Sequence, residues 1–137
     1  MAKDGVDQVF AGQIERKVDL CGRFRVPAKW FKAVGENKFV YVMPDSEEVC
    51  LRMIPSHTMD ALLAKLRERA ENDSETNRAL LTIGAVVEQQ KVDDEGCIEI
   101  SRKLRDFAGI KQRLVMVGGE WYTQLWSPKE LRRRGEK

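Results

Sequence analysis

Sliding this sequence against itself by 74 residues brings two stretches into register. Lys17-Val18-Asp19 falls on Lys91-Val92-Asp93, Gly22 on Gly96, Phe24 on Ile98, Val26 on Ile100, Lys29 on Lys103 and Gly35 on Gly109. Both copies read K-V-D-x-x-G-x-Φ-x-Φ, where Φ is apolar. A one-residue slip then lays Phe39 to Val42 on Leu114 to Val117. The repeat restricts the fold to two similar units, and a unit of about fifty residues rarely buries enough apolar surface to stand alone. The two are expected to interlock around one core, as a pseudo-dimer within the chain.

Each copy can be read locally. Arg23-Phe24-Arg25-Val26 alternates with period two and reads as a hairpin strand, with Phe24 and Val26 on one face and the arginines on the other. Gly22 and Gly96 are expected to take a positive φ that a side chain would resist. Asp19 and Asp93 are expected to order their turns by accepting backbone N–H bonds. A short helix is expected over Ala28 to Val34, with Gly35 behind it, and another over Arg102 to Ala108, with Ser101 as N-cap and Gly109 as C′. Phe39 to Met43 with Cys50 to Ile54, and Leu114 to Val117 with Tyr122 to Trp126, read as further strand pairs.

Between the copies, Met59, Leu62, Leu63 and Leu66 recur at helical spacing after a Ser56 or Thr58 cap. Asn72 with Glu75 suggests a capping box ahead of a second segment, Arg78 to Ile83. Ser127-Pro128-Lys129-Glu130 opens a short final helix with a frayed basic tail. The fold class is therefore α+β, mainly β. Its divisions are a first repeat over 8–56, a helical connector over 57–83, a second repeat over 84–129 and a C-terminal tail over 130–137.

Several function classes fit poorly. Cys21, Cys50 and Cys97 have no C-x-x-C spacing and His57 is the one histidine of the chain, so no metal site is expected. There is no phosphate-cradling glycine loop and no recognisable nucleophile spacing, so neither an enzyme, a cofactor nor a small-molecule substrate is expected. Asp93, Asp94 and Glu95 would raise the Cys97 thiol rather than activate it. Trp30 and Trp126 read as core or subunit contacts and Trp121 as exposed. No apolar run approaches the roughly 18 residues a spanning helix needs, and the first twenty residues hold no apolar signal core. A cytoplasmic protein without membrane contact is the expectation.

The duplicated D-x-x-G turn, the arginine after the first one, the proline four residues beyond it, the Phe10-x-Gly12 lead-in and the helical connector together resemble the MraZ family. The halves of that family resemble the AbrB-type swapped-hairpin fold, here two tandem half-barrels. The resemblance spans roughly residues 8 to 131. It implies a bacterial transcriptional regulator, nucleoid-associated, that binds repeated double-stranded DNA elements upstream of the division and cell-wall gene cluster as a homo-oligomeric ring. Carried over residue by residue, Asp19, Gly22 and Arg23 match the family's first turn. In the second, Asp93 and Gly96 are kept but Cys97 stands where the arginine would be, and Cys21 occupies the place of a frequent lysine.

Charge bears on this directly. The balance of 24 basic to 22 acidic residues hides an asymmetry between the copies. Residues 15–38 hold seven basic and three acidic residues, whereas 88–113 hold six of each. Phosphate neutralisation dominates nucleic-acid affinity, so the first copy is the better DNA face and the second reads as scaffold or oligomer contact. Arg23, at a rigid turn, suits guanine O6 and N7 or a phosphate, a choice the sequence leaves open. Arg25, Arg16, Lys17 and Lys29 suit phosphate positioning. Two rival readings stay open: a ring-forming interaction scaffold with weak DNA affinity, and an antitoxin-like protein of AbrB fold.

Overall fold

The computed structural model describes residues 12–28, 30, 39–119 and 121–135. In chain order the described elements are β1 (Gln13–Lys17), β2 (Arg23–Arg25), β3 (Phe39–Pro44), β4 (Leu51–Pro55), α1 (Ser56–Ala70), α2 (Ser74–Val86), β5 (Glu88–Lys91), β6 (Cys97–Glu99), α3 (Arg102–Ala108), β7 (Arg113–Gly118), β8 (Thr123–Trp126) and α4 (Pro128–Gly135). The fold is α+β, with eight strands in antiparallel sheets and four helices among the described residues.

Strands pair across the copies. β1 pairs with β7 and β5 with β3, while β2 faces β6 and β4 faces β8. The larger sheet therefore runs β1-β7-β8-β4-β3-β5, and β2-β6 forms a separate ribbon. Exchanging equivalent strands of the two copies leaves that order unchanged, so a pseudo-two-fold axis passes through the β4/β8 and β2/β6 pairs.

The register refines the repeat. Lys17 pairs with Arg113 and its equivalent Lys91 pairs with Phe39, so Phe39 corresponds to Arg113 at the original spacing of 74. The one-residue slip expected there is absent. Val40 and Leu114, both fully buried, occupy equivalent places. The spacing changes at the axis, where Arg52 faces Gln124, because the connection between β3 and β4 is longer than that between β7 and β8.

The axis also organises the core. Val18 and Val92, Phe24 and Ile98, Val26 and Ile100, and Val42 and Met116 are buried as equivalent pairs. Each large apolar side chain so buried contributes roughly 1.5–3 kcal/mol, and part of its cover comes from the other copy. On the outer face of β3 and β4, Met43, Ile54 and Met59 form a second cluster with Leu62, Leu63, Ile83 and Val86 of the connector.

Helix ends follow local chemistry, with three departures from expectation. α1 follows β4 directly through Pro55 and has no side-chain cap, in place of one from Ser56 or Thr58. α2 is capped by Asp73 rather than Asn72, because the Asp73 carboxylate accepts both the Glu75 N–H at 3.0 Å and the Thr76 hydroxyl at 2.6 Å. α4 stays helical through Gly135 instead of fraying, with Arg134 Nε 2.8 Å from Glu48 and its guanidinium 5.8 Å from the centre of the Trp126 ring. In α3, Ser101 Oγ accepts the Leu104 N–H and Gly109 closes the helix at φ +71°. The helix expected over 28–34 lies largely outside the described residues, as does Phe10.

Candidate nucleic-acid interface

Two carboxylates build two turns. Asp19 Oδ1 accepts the Cys21 and Arg23 N–H groups, both at 2.9 Å, and the Gly22 N–H donates to the Asp19 carbonyl at 3.0 Å. The second copy repeats the pattern: Asp93 Oδ1 accepts the Glu95 and Cys97 N–H groups at 2.9 Å, and the Gly96 N–H donates to the Asp93 carbonyl. Gly22 and Gly96 lie at φ +89° and +83°, the region that favours glycine. Bonds to the ionised form hold both carboxyls below the usual range, chiefly the Arg23 N–H for Asp19 and the Cys97 N–H for Asp93.

The β2/β6 ribbon sets the turns side by side. The Ile100 N–H donates to the Gly22 carbonyl and the Val26 N–H to the Gly96 carbonyl, each at 2.9 Å. Phe24 and Ile98 point inward, leaving Arg23 and Arg25 on the outer face. From there Arg23 Nη2 reaches across the axis to Asp93 Oδ2 at 2.6 Å, with both side chains about 40% exposed. The Asp93 carboxylate raises the guanidinium's pKa further. At the equivalent position of the second copy, Cys97 cannot offer Asp19 the same partner.

The structure sorts the other singled-out cations. Arg16 is half-buried and its Nε donates to the Arg25 carbonyl at 2.9 Å, so Arg16, Arg23 and Arg25 gather around β2. Strand alternation puts Lys17 on the face of β1 opposite Arg16. It lies beside Arg113, which holds Glu15 at 2.8 Å. Lys29 lies outside the described residues. Across the ribbon Glu99 pairs with Arg23, and Asp94 and Glu95 are exposed on the second turn. The outer face is thus basic on one side of the axis and acidic on the other.

Two neighbours of the first turn escaped the sequence reading. Leu20 is 99% exposed, an apolar residue in a polar turn, and that mismatch was its available signal. The Arg105 guanidinium lies against Gly22: a Cβ built there would stand 2.7 Å from Arg105 Nε and 2.4 Å from the Ile100 carbonyl oxygen. That contact joins the two copies and has no local signature.

Other groups are placed plainly. Cys21 is exposed, Cys97 half-buried, and Cys50 buried with its thiol pushed up to about 12 by desolvation. His57 is exposed at the start of α1. Trp30 and Trp126 are buried and Trp121 is exposed. Among the described residues no group of three His, Cys, Asp or Glu side chains is placed to hold a metal, and no helix is long and apolar enough to cross a membrane.

No family model matches the chain. Curated relatives do, over nearly its whole length. It is 25% identical over 122 residues to the "Transcriptional regulator MraZ" of Natranaerobius thermophilus, covering 89% of this chain and 83% of the relative. Proteins of the same name from Acetivibrio thermocellus, 25% identical over 86% of this chain and 80% of the relative, and from Thermomicrobium roseum, 24% identical over 93% and 88%, align similarly. These likenesses, spread over nearly the whole chain, support membership of the MraZ family. Of the two turns, the first reads Asp19-x-x-Gly22-Arg23, and the second has Cys97 in the place of that arginine.

Proposed function

We propose that this chain is a DNA-binding transcriptional regulator that reads double-stranded promoter repeats through its first turn. The observation that carries the reading is the Asp19 turn, whose carboxylate is spent on its own backbone while Arg23 stands on the outer face beside Arg25 and Arg16. A carboxylate satisfied in this way orders the turn without needing to face phosphate. Asp93, Gly22 and Gly96 complete the ordering of the two turns. Arg23 contacts a base edge or phosphate, and Arg16, Arg25, Lys17 and Lys29 position the duplex.

The exchanged strand pairs support an AbrB-like swapped-hairpin reading, with repeats over 8–56 and 84–129 joined by a connector over 57–83. One intact arginine turn per subunit supplies modest specificity. A homo-oligomeric ring displaying several such turns to repeated elements upstream of the division and cell-wall gene cluster would multiply it through effective concentration. Such a regulator works in the cytoplasm at the nucleoid.

A ring-forming scaffold with weak DNA affinity is the second reading, favoured by the acidic residues that crowd Arg23 from the second copy. Fluorescence anisotropy with a duplex from upstream of the chain's own operon and a scrambled duplex, at two salt concentrations, separates the two. Selective, salt-weakened binding supports the regulator. Equal, weak binding to both duplexes supports the scaffold.

A further inference from the structure

The first turn borders a cleft of about 420 Å³ whose opposite wall comes from the second copy. Asp19 and Leu20 line one side, and Arg102, Arg105, Asp106 and Lys111 line the other. Arg102 and Lys111 are exposed, and neither they nor Arg105 form an ion pair among the described residues. Arg105 is held in place, with Nε 3.0 Å from the Ile100 carbonyl oxygen and its guanidinium against Gly22.

These cations are particular to the second copy. The corresponding positions of the first, 74 residues earlier, are Ala28, Phe31 and Asn37. The second copy's charges are unevenly placed: Asp93, Asp94 and Glu95 belong to its own turn, while Arg102, Arg105 and Lys111, with the carboxylate Asp106 among them, lie beside the turn of the first.

The geometry points to a composite site for duplex DNA in which the backbone of the strand met by the first turn continues over this cleft, with Arg102 and Lys111 contacting phosphates. Arg105 is a positioning residue: its Nε bond to the Ile100 carbonyl holds the planar guanidinium against Gly22, and that packing sets the angle at which the first turn presents Arg23. Leu20, on the rim, offers apolar contact to a sugar or a thymine methyl. This inference rests on the regulatory reading above and assigns the second copy a share of the DNA contact rather than a scaffold role alone.

The experiment is a salt series of anisotropy titrations with the full chain, using the upstream duplex and its scrambled counterpart. The double variant Arg102→Gln/Lys111→Gln is expected to make the slope of log K against log salt shallower by roughly 2, about 0.9 per lost phosphate contact. Its preference for the upstream duplex is expected to persist. Lys65→Gln/Arg69→Gln, which removes two exposed charges from α1, is expected to leave the slope unchanged. A cleft variant with the wild-type slope, or a control variant with the same loss, overturns the proposed phosphate contacts. Arg105→Lys keeps the charge but not the fork, so selectivity is expected to fall at constant slope; unchanged selectivity overturns the positioning role. If the wild type itself does not prefer the upstream duplex, the regulatory reading fails and this inference with it.

Discussion

Gly22→Ala isolates what the first turn demands of its sequence. Gly22 and Gly12 have nearly the same backbone angle, φ +89° and +90°, but different surroundings. An added Cβ meets nothing within 4 Å at Gly12, whereas at Gly22 it would stand 2.4 Å from the Ile100 carbonyl oxygen and 2.7 Å from Arg105 Nε. Both alanine variants incur the unfavourable angle, roughly 1–3 kcal/mol. Gly22→Ala must also displace backbone, weakening the 2.9 Å bond from the Ile100 N–H to the Gly22 carbonyl and the Arg105 bond to the Ile100 carbonyl. Each such bond contributes about 1 kcal/mol. The expected cost is about 3–5 kcal/mol for Gly22→Ala and about 1–3 kcal/mol for Gly12→Ala, a large fraction of a typical 5–15 kcal/mol stability. Urea unfolding of the two variants beside the wild type measures the difference. Equal destabilisation would mean that the close approach of the two copies at Gly22 is not a real constraint, and the reasoning would fail.

Arg23→Ala is expected to lower selective DNA binding at least tenfold, read by anisotropy, while assembly and the melting temperature persist; a melted fold would show the residue to be structural. Arg52→Ala is expected to cost about 1–2 kcal/mol in urea unfolding, because Asp45, nearly buried, loses its 2.9 Å partner and Tyr122 loses the guanidinium 4.6 Å above its ring. An unchanged urea midpoint would refute that role. In the folded protein Cys50, its thiol pushed up to about 12, is expected to resist iodoacetamide near pH 8 while exposed Cys21 reacts, as peptide mass mapping would reveal. Asp19, Asp45, Asp73 and Asp93 all titrate below the ordinary 3.8 in the folded state. Their stabilisation is complete well above that value and lost as pH falls through the lower folded values. A urea midpoint that holds constant from about pH 5 to pH 2.5 would contradict this.

What was legible in the sequence was what short-range chemistry decides. The Asp19 and Asp93 turns close through bonds two to four residues apart, Ser101 and Ser127 cap helices three residues ahead, and period-two alternation sends Phe24 inward and its flanking arginines outward. Such features are recorded within a few positions, and the 74-residue repeat records them twice. Asp73 displaced Asn72 as a cap because two adjacent residues offered similar chemistry and one carboxylate could take two donors. Tertiary structure alone decided which strand of one copy meets which strand of the other, since pairing is set by the fit of both apolar faces around the axis. That choice carries Arg23 to Asp93, lays Arg105 on Gly22 and gathers the second copy's basic residues beside the first turn, contacts between residues whose own neighbours in sequence give no hint of them.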